Sequence, residues 1–177
     1  MATWPAVLDE LLRTRRSALV GYAALLTGDV AAAEDVVHDA IVKAFSRGRQ
    51  FSHVNKADAY VRRAIVSVFI DKTRRDQRFR DATPLLAGDE ALPAAEGAVD
   101  LDRALAALSP QLRVAVVLRF FDDLTVPQIA SSMGLAEGTV KRYLHEAQSA
   151  LAATYGADFG SPAEGIDVVA HKERSLP

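Results

Sequence analysis

The chain has 177 residues, half of them hydrophobic and a quarter charged, with a net charge of −2 and no cysteine. That length allows one domain or two small ones, and the lack of cysteine excludes disulfides and thiolate metal sites. No apolar run approaches the ~20 residues of a membrane span and no basic-then-apolar leader opens the chain, so a cytoplasmic protein without membrane contact is expected, its net charge arguing against indiscriminate nucleic-acid binding.

Pro5 opens a predicted helix in which Leu8, Leu12, Leu19, Tyr22 and Leu26 recur on one side, and Gly28 ends it. Asp29 is a natural cap for a second helix, whose face is Val30, Ala33, Val37, Ile41 and Ala44 with Phe45 beside it. Glu34, Asp35, His38 and Asp39 precede Lys43 and Arg47, the charge order that the helix dipole favours, so this acidic group reads first as a solvated face. Residues 48–55 read as a loop. A third helix follows from about Ala57 to Arg75, burying some of Tyr60, Val61, Ala64, Ile65, Val68 and Phe69. Three such helices can close a small bundle.

Charge then changes abruptly. Between Lys56 and Arg80 eight basic residues face three acids, with Tyr60 and Phe69 among them, a composition suited to phosphate contacts and base stacking. From Asp81 to Asp102 six acids occur without a base, among Pro84, Gly88, Pro93, Gly97 and many alanines. This reads as an acidic flexible linker, residues 79–99, between a domain at 5–78 and another at 100–155.

Beyond it, Leu101, Ala104, Leu105 and Leu108 form a short amphipathic helix, Ser109-Pro110 starts another, Val114 to Phe121 packs heavily, and Asp122-Asp123 break it. Leu124 to Leu151 then reads as a helix-turn-helix. Thr125 caps its first helix, Pro127 sits where a missing N–H costs nothing, and Ile129, Ala130 and Met133 form its apolar face. Gly134 supplies a left-handed turn and Leu135 plugs the angle between the helices. In the second helix Val140, Leu144, Ala147 and Leu151 form one stripe, opposite Thr139, Lys141, Arg142, His145, Glu146 and Ser149, a set of side chains that can reach base edges and phosphates in a major groove. The four helices make an all-α domain of about fifty residues, and the tail 156–177, with no sustained period, is expected to be loose.

No enzyme emerges. His38, His53, His145 and His171 lie far apart, there is no glycine-rich phosphate loop, and the Asp35, His38, Asp39 group is weak as a metal site, so neither a cofactor nor a metal is expected.

The run Leu26-Thr-Gly-Asp-Val-Ala-Ala-Ala-Glu-Asp-Val-Val-His-Asp-Ala-Ile-Val-Lys-Ala-Phe45, with Ala59-Tyr-Val-Arg-Arg63, Leu108-Ser-Pro-Gln-Leu-Arg113 and Gly138-Thr-Val-Lys141, resembles bacterial sigma factors of the extracytoplasmic-function (ECF) type. Four motifs in family order cover about Val7 to Ala153. The resemblance implies an all-helical, two-domain promoter-specificity subunit that joins core RNA polymerase, opens the promoter and leaves after initiation. It implies polymerase contact through Asp35, His38, Asp39 and Phe45, with His38 where the family usually has glutamine. It implies reading and melting of the −10 element by Tyr60, Arg63 and Ser67, with Arg74 and Arg75 on the backbone. Tyr60 departs from the usual tryptophan and Ser67 from the usual asparagine. The acidic linker, with Asp89, Glu90 and Glu96, resembles the segment that threads the polymerase channels. Thr139, Lys141, Arg142, His145 and Glu146 belong to the helix that reads the −35 element, and Glu146 and Gln148 stand where arginine is common, which shifts the expected −35 sequence away from the family norm. An anti-sigma protein is a further partner such a subunit admits. Two rival readings are an autonomous helix-turn-helix repressor and a non-initiating interaction decoy with a sigma-like fold.

Overall fold

A computed structural model describes residues 4–46, 49–82 and 101–155. The linker residues Asp89, Glu90 and Glu96 and the tail 156–177 lie outside the described residues. Among the described residues there are eight helices and no strand: α1 (Trp4–Thr14), α2 (Arg16–Thr27), α3 (Val30–Phe45), α4 (Val54–Ala82), α5 (Leu101–Ala106), α6 (Pro110–Phe120), α7 (Val126–Met133) and α8 (Glu137–Tyr155).

The single helix expected from Pro5 to Gly28 is two. Arg15, at φ −121°, breaks the spiral, and the Thr14 hydroxyl donates back to the Glu10 carbonyl at the end of α1. The break resets the helical phase. Val7 and Leu11 are buried where Leu8 and Leu12 were expected, and Leu12 is 41% exposed. On α2 the reading holds, with Leu19, Tyr22 and Leu26 buried. Gly28 ends α2 at φ +74°, a conformation that glycine adopts without strain.

Asp29 caps α3 as expected, its carboxylate accepting from the Ala32 N–H at 2.7 Å. The buried face of α3 is nonetheless Ala33, Val36, Val37, Ala40 and Ala44, while Val30 stands in solvent. Four of the eight apolar positions expected or found here are alanines, so α2 and α4 can approach α3 closely. α4 runs from Val54 to Ala82, longer than the 57–75 expected, because its last turns carry no apolar period to mark them. Hydrogen bonds from Gln77 to Asp81 and from Arg78 to the Arg74 carbonyl support that exposed end.

In the C-terminal half, Val114 to Leu118 are buried but Phe120 and Phe121 are exposed, which corrects the expectation that packing runs to Phe121. The reversal after α6 uses Asp123 at φ +52°. α7 begins at Thr125, whose N–H and hydroxyl both donate to the Gln128 side-chain oxygen, and Gly134 closes it at φ +64°. Val140 and Ala147 are fully buried and Leu144 and Leu151 partly so, the stripe expected for α8.

The helices α1–α4 and α5–α8 also pack on each other, α2 against α5 and α6, and α4 against α6 and α7. One hydrophobic cluster runs through both groups.

Candidate nucleic-acid interface

α8 is held by its apolar stripe against α6 and α7, which leaves Lys141, Arg142, His145, Glu146 and Ser149 exposed; Thr139 is half-buried at the start of the helix. Arg142 is fixed on two sides. Its guanidinium lies 3.4 Å from Glu146, one turn on, and 5.3 Å from the centre of the Tyr143 ring. Glu146 is therefore engaged by Arg142, which changes its expected part: its carboxylate orients an arginine before it meets any base.

On α4, Tyr60, Arg63, Ser67 and Arg74 fall at spacings of three, four and seven and share one face. Tyr60 tops an aromatic row, with Phe51 5.5 Å from it and Phe45 5.1 Å beyond. Arg49 lies 4.4 Å over the Tyr60 ring, a cation at the stacking platform that sequence reasoning missed because it sits in an aperiodic loop. Ser67 accepts a 2.9 Å bond from Lys43 of α3, another residue not singled out for this face. Arg63 and Arg75 are exposed. Arg74 turns away to the second helical group, donating to the Met133 carbonyl at 3.1 Å. Phe69 is half-buried against the core and the α6–α8 side, so it offers no stacking face.

The expected polymerase-binding set separates. Asp35, His38 and Asp39 are exposed on adjoining turns of α3, and Asp39 pairs with Lys72 at 3.0 Å. Phe45 is 8% exposed, edge-on to Phe51, and so supports the Tyr60 platform from within; its apolar ring is worth more in that row than in water. Among the described residues no group of three His, Asp or Glu side chains is placed to hold a metal ion, and no helix is long and apolar enough to cross a membrane.

The least expected residue is Arg113, buried in α6. Nη1 donates to the Leu26 carbonyl at 2.8 Å, and Nη2 to those of Ala106 and Leu108 at 3.0 and 3.1 Å. Leu26 and Ala106 lie at the C-terminal ends of α2 and α5, where carbonyls lack helical partners and the dipole favours a cation. Burial pushes the Arg113 guanidinium below its ordinary pKa. Its polar character gave no reason to expect burial from the sequence.

Two helical groups, the second built on a helix-turn-helix with a basic exposed face, define a modular promoter-recognition protein of the sigma-70 class. Residues 11–79 match Sigma-70 region 2 and residues 98–151 match Sigma-70 region 4. The chain is 30% identical to the RNA polymerase sigma-E factor of Streptomyces coelicolor, over 81% of this chain and 82% of that one. It is 32% identical to the ECF RNA polymerase sigma factor SigL of Mycobacterium tuberculosis, over 84% and 89%. Its fold is similar to that of the sigma factor RpoE solved in complex with the anti-sigma factor NepR from Bartonella quintana, with a TM-score of 0.61 at 24% identity, covering 85% of this chain and 97% of that one. The chain belongs to the ECF sigma factors of the sigma-70 family, non-enzymatic subunits that direct RNA polymerase to promoters and into transcription initiation.

Proposed function

We propose that residues 5–78 form the unit that engages core polymerase and the −10 element, and residues 100–155 the unit that reads the −35 element. The observation that carries this division is the pair of exposed faces, Tyr60-Arg63-Ser67 on α4 and Lys141-Arg142-His145 on α8, each rooted in its own helical group. In this reading Tyr60, braced by Phe51 and covered by Arg49, stacks on a base unpaired from the −10 duplex, while Arg63 and Arg75 neutralise phosphate. Arg142, steadied by Glu146, enters the major groove and reads guanine O6 and N7 with its two-pronged donor set. Lys141 and His145 flank it, and Thr139 contacts the backbone.

Polymerase is met by Asp35, His38 and Asp39. The acidic segment 79–99, with Asp89, Glu90 and Glu96, occupies a channel that nascent RNA later claims, and the protein works in the cytoplasm beside its polymerase. An anti-sigma partner is supported by the relative solved with one. Run-off transcription of genomic fragments with purified core polymerase tests the reading: the chain confers initiation at discrete sites, and Arg142→Ala and Tyr60→Ala each abolish most of it. A chain that binds those fragments as strongly without polymerase, and supports no transcript, is a repressor instead. One that binds polymerase and yields no transcript is a decoy.

A further inference from the structure

The two helical groups are joined by polar contacts of an unusual kind. Each group supplies an arginine to the C-terminus of a helix in the other: Arg113 of α6 caps α2 at Leu26, and Arg74 of α4 caps α7 at Met133. Beside them the Tyr22 hydroxyl of α2 donates to the Asp122 carboxylate after α6 at 2.6 Å, with Arg62 lying 5.0 Å over the Tyr22 ring.

A permanent interface of this size would be filled. This one keeps a groove of about 130 Å³ where Phe69, Ile70 and Arg74 of α4 face Val114, Met133 and Tyr143. Polar groups that bond across such a joint can exchange their partners for water when it opens, at small net cost. Arg74 has a further consequence. A guanidinium donating to the Met133 carbonyl at 3.1 Å is not free to reach a phosphate, although it lies on the α4 face of Tyr60, Arg63 and Ser67.

We propose that the free chain is closed on itself by a reciprocal latch, Arg113 on the α2 terminus, Arg74 on the α7 terminus and Tyr22 on Asp122, and that this closed form withholds Arg74 and the far end of α4 from promoter DNA. The withholding half rests on the reading of the α4 face given above; the latch itself does not. Affinity for DNA is then lowered by the fraction of chains that are closed, and by linkage DNA must open the latch to the same degree.

The test uses the full chain, which has no native cysteine, labelled at cysteines placed at the exposed positions Glu10 and Ser131 with an energy-transfer pair. The wild-type chain gives one high-transfer population, which falls when a promoter duplex recovered by run-off transcription is added. Tyr22→Phe keeps the packed ring and removes the donor, raising the open-to-closed ratio about tenfold and tightening binding of that duplex by the same factor wherever closed chains predominate. Tyr22→Phe combined with Arg74→Ala opens the free chain further, while Asp122→Asn, which still accepts from Tyr22, stays closed.

Transfer in both Tyr22 variants equal to wild type, or a wild-type chain already in low transfer, overturns the latch. An opened Tyr22→Phe chain with unchanged affinity for the duplex overturns the withholding half and leaves the latch. Failure to recover any promoter sinks the functional reading instead, with the transfer measurements on the free chain still deciding the latch.

Discussion

Tyr22 and Asp122, one hundred residues apart in the chain, meet at 2.6 Å, hydroxyl to carboxylate, where α2 abuts the end of α6. Burial raises the Asp122 carboxyl above its ordinary value of 3.8, against the lowering effects of the Tyr22 bond and of Arg62. An acid whose pKa is raised by folding binds more protons folded than unfolded, so its stabilising contribution is complete below 3.8 and is lost as pH rises through the folded value. Unfolding free energy measured by urea from pH 3.8 upward should therefore fall more steeply in the wild type than in Asp122→Asn. Parallel curves would show that Asp122 does not titrate differently in the folded chain.

Removing Arg113 leaves the Leu26, Ala106 and Leu108 carbonyls without their donor inside the protein. Arg113→Ala should cost about 2–4 kcal/mol of stability in urea unfolding. Arg113→Lys, which carries charge but no planar fork, should recover part of it. A loss below about 0.5 kcal/mol for alanine would mean that water replaces all three bonds.

Gly134 and Gly138 stand four residues apart and should respond oppositely to alanine. At Gly134 a Cβ meets nothing within 4 Å, but φ is +64°, so Gly134→Ala costs about 1–2 kcal/mol in backbone strain alone. Gly138 lies in α8 with open space around it, and Gly138→Ala should stabilise by about 0.5–1 kcal/mol. Thermal melts of the two variants decide this by the sign of each shift.

Asp39→Arg should abolish most retention of the chain on immobilised core polymerase. Because Asp39 also pairs with half-exposed Lys72, the reversal places two cations together and lowers stability by about 0.5 kcal/mol. Adding Lys72→Glu removes that repulsion and should restore stability without restoring polymerase binding. Recovery of both would assign Asp39 a purely structural part.

Arg142→Ala should weaken binding at the correct −35 site by about 1–3 kcal/mol and relax discrimination at one base pair. Glu146→Ala, which frees the guanidinium, should broaden preference at that same position with a smaller loss of affinity. Equal losses on every sequence, with a salt slope lower by about one, would place Arg142 on phosphate instead.

What the sequence determined by itself was local. Caps at Asp29 and Thr125, the left-handed turns at Gly28 and Gly134 and the stripe through Val140 and Ala147 each depend on residues within a turn or two, and they mark the helices and the helix-turn-helix. The four motifs did the same for the family. What only the tertiary structure decided was phase and pairing. A break at Arg15 rotated α1 so that Leu11, not Leu12, is buried, and Phe45 turned inward to brace Phe51. Arg113, Arg74 and Tyr22 found partners 87, 59 and 100 residues away. Helical periodicity shows which residues can share a face. It carries no information about which distant carbonyl or carboxylate that face will meet, because that is fixed by how the two helical groups pack.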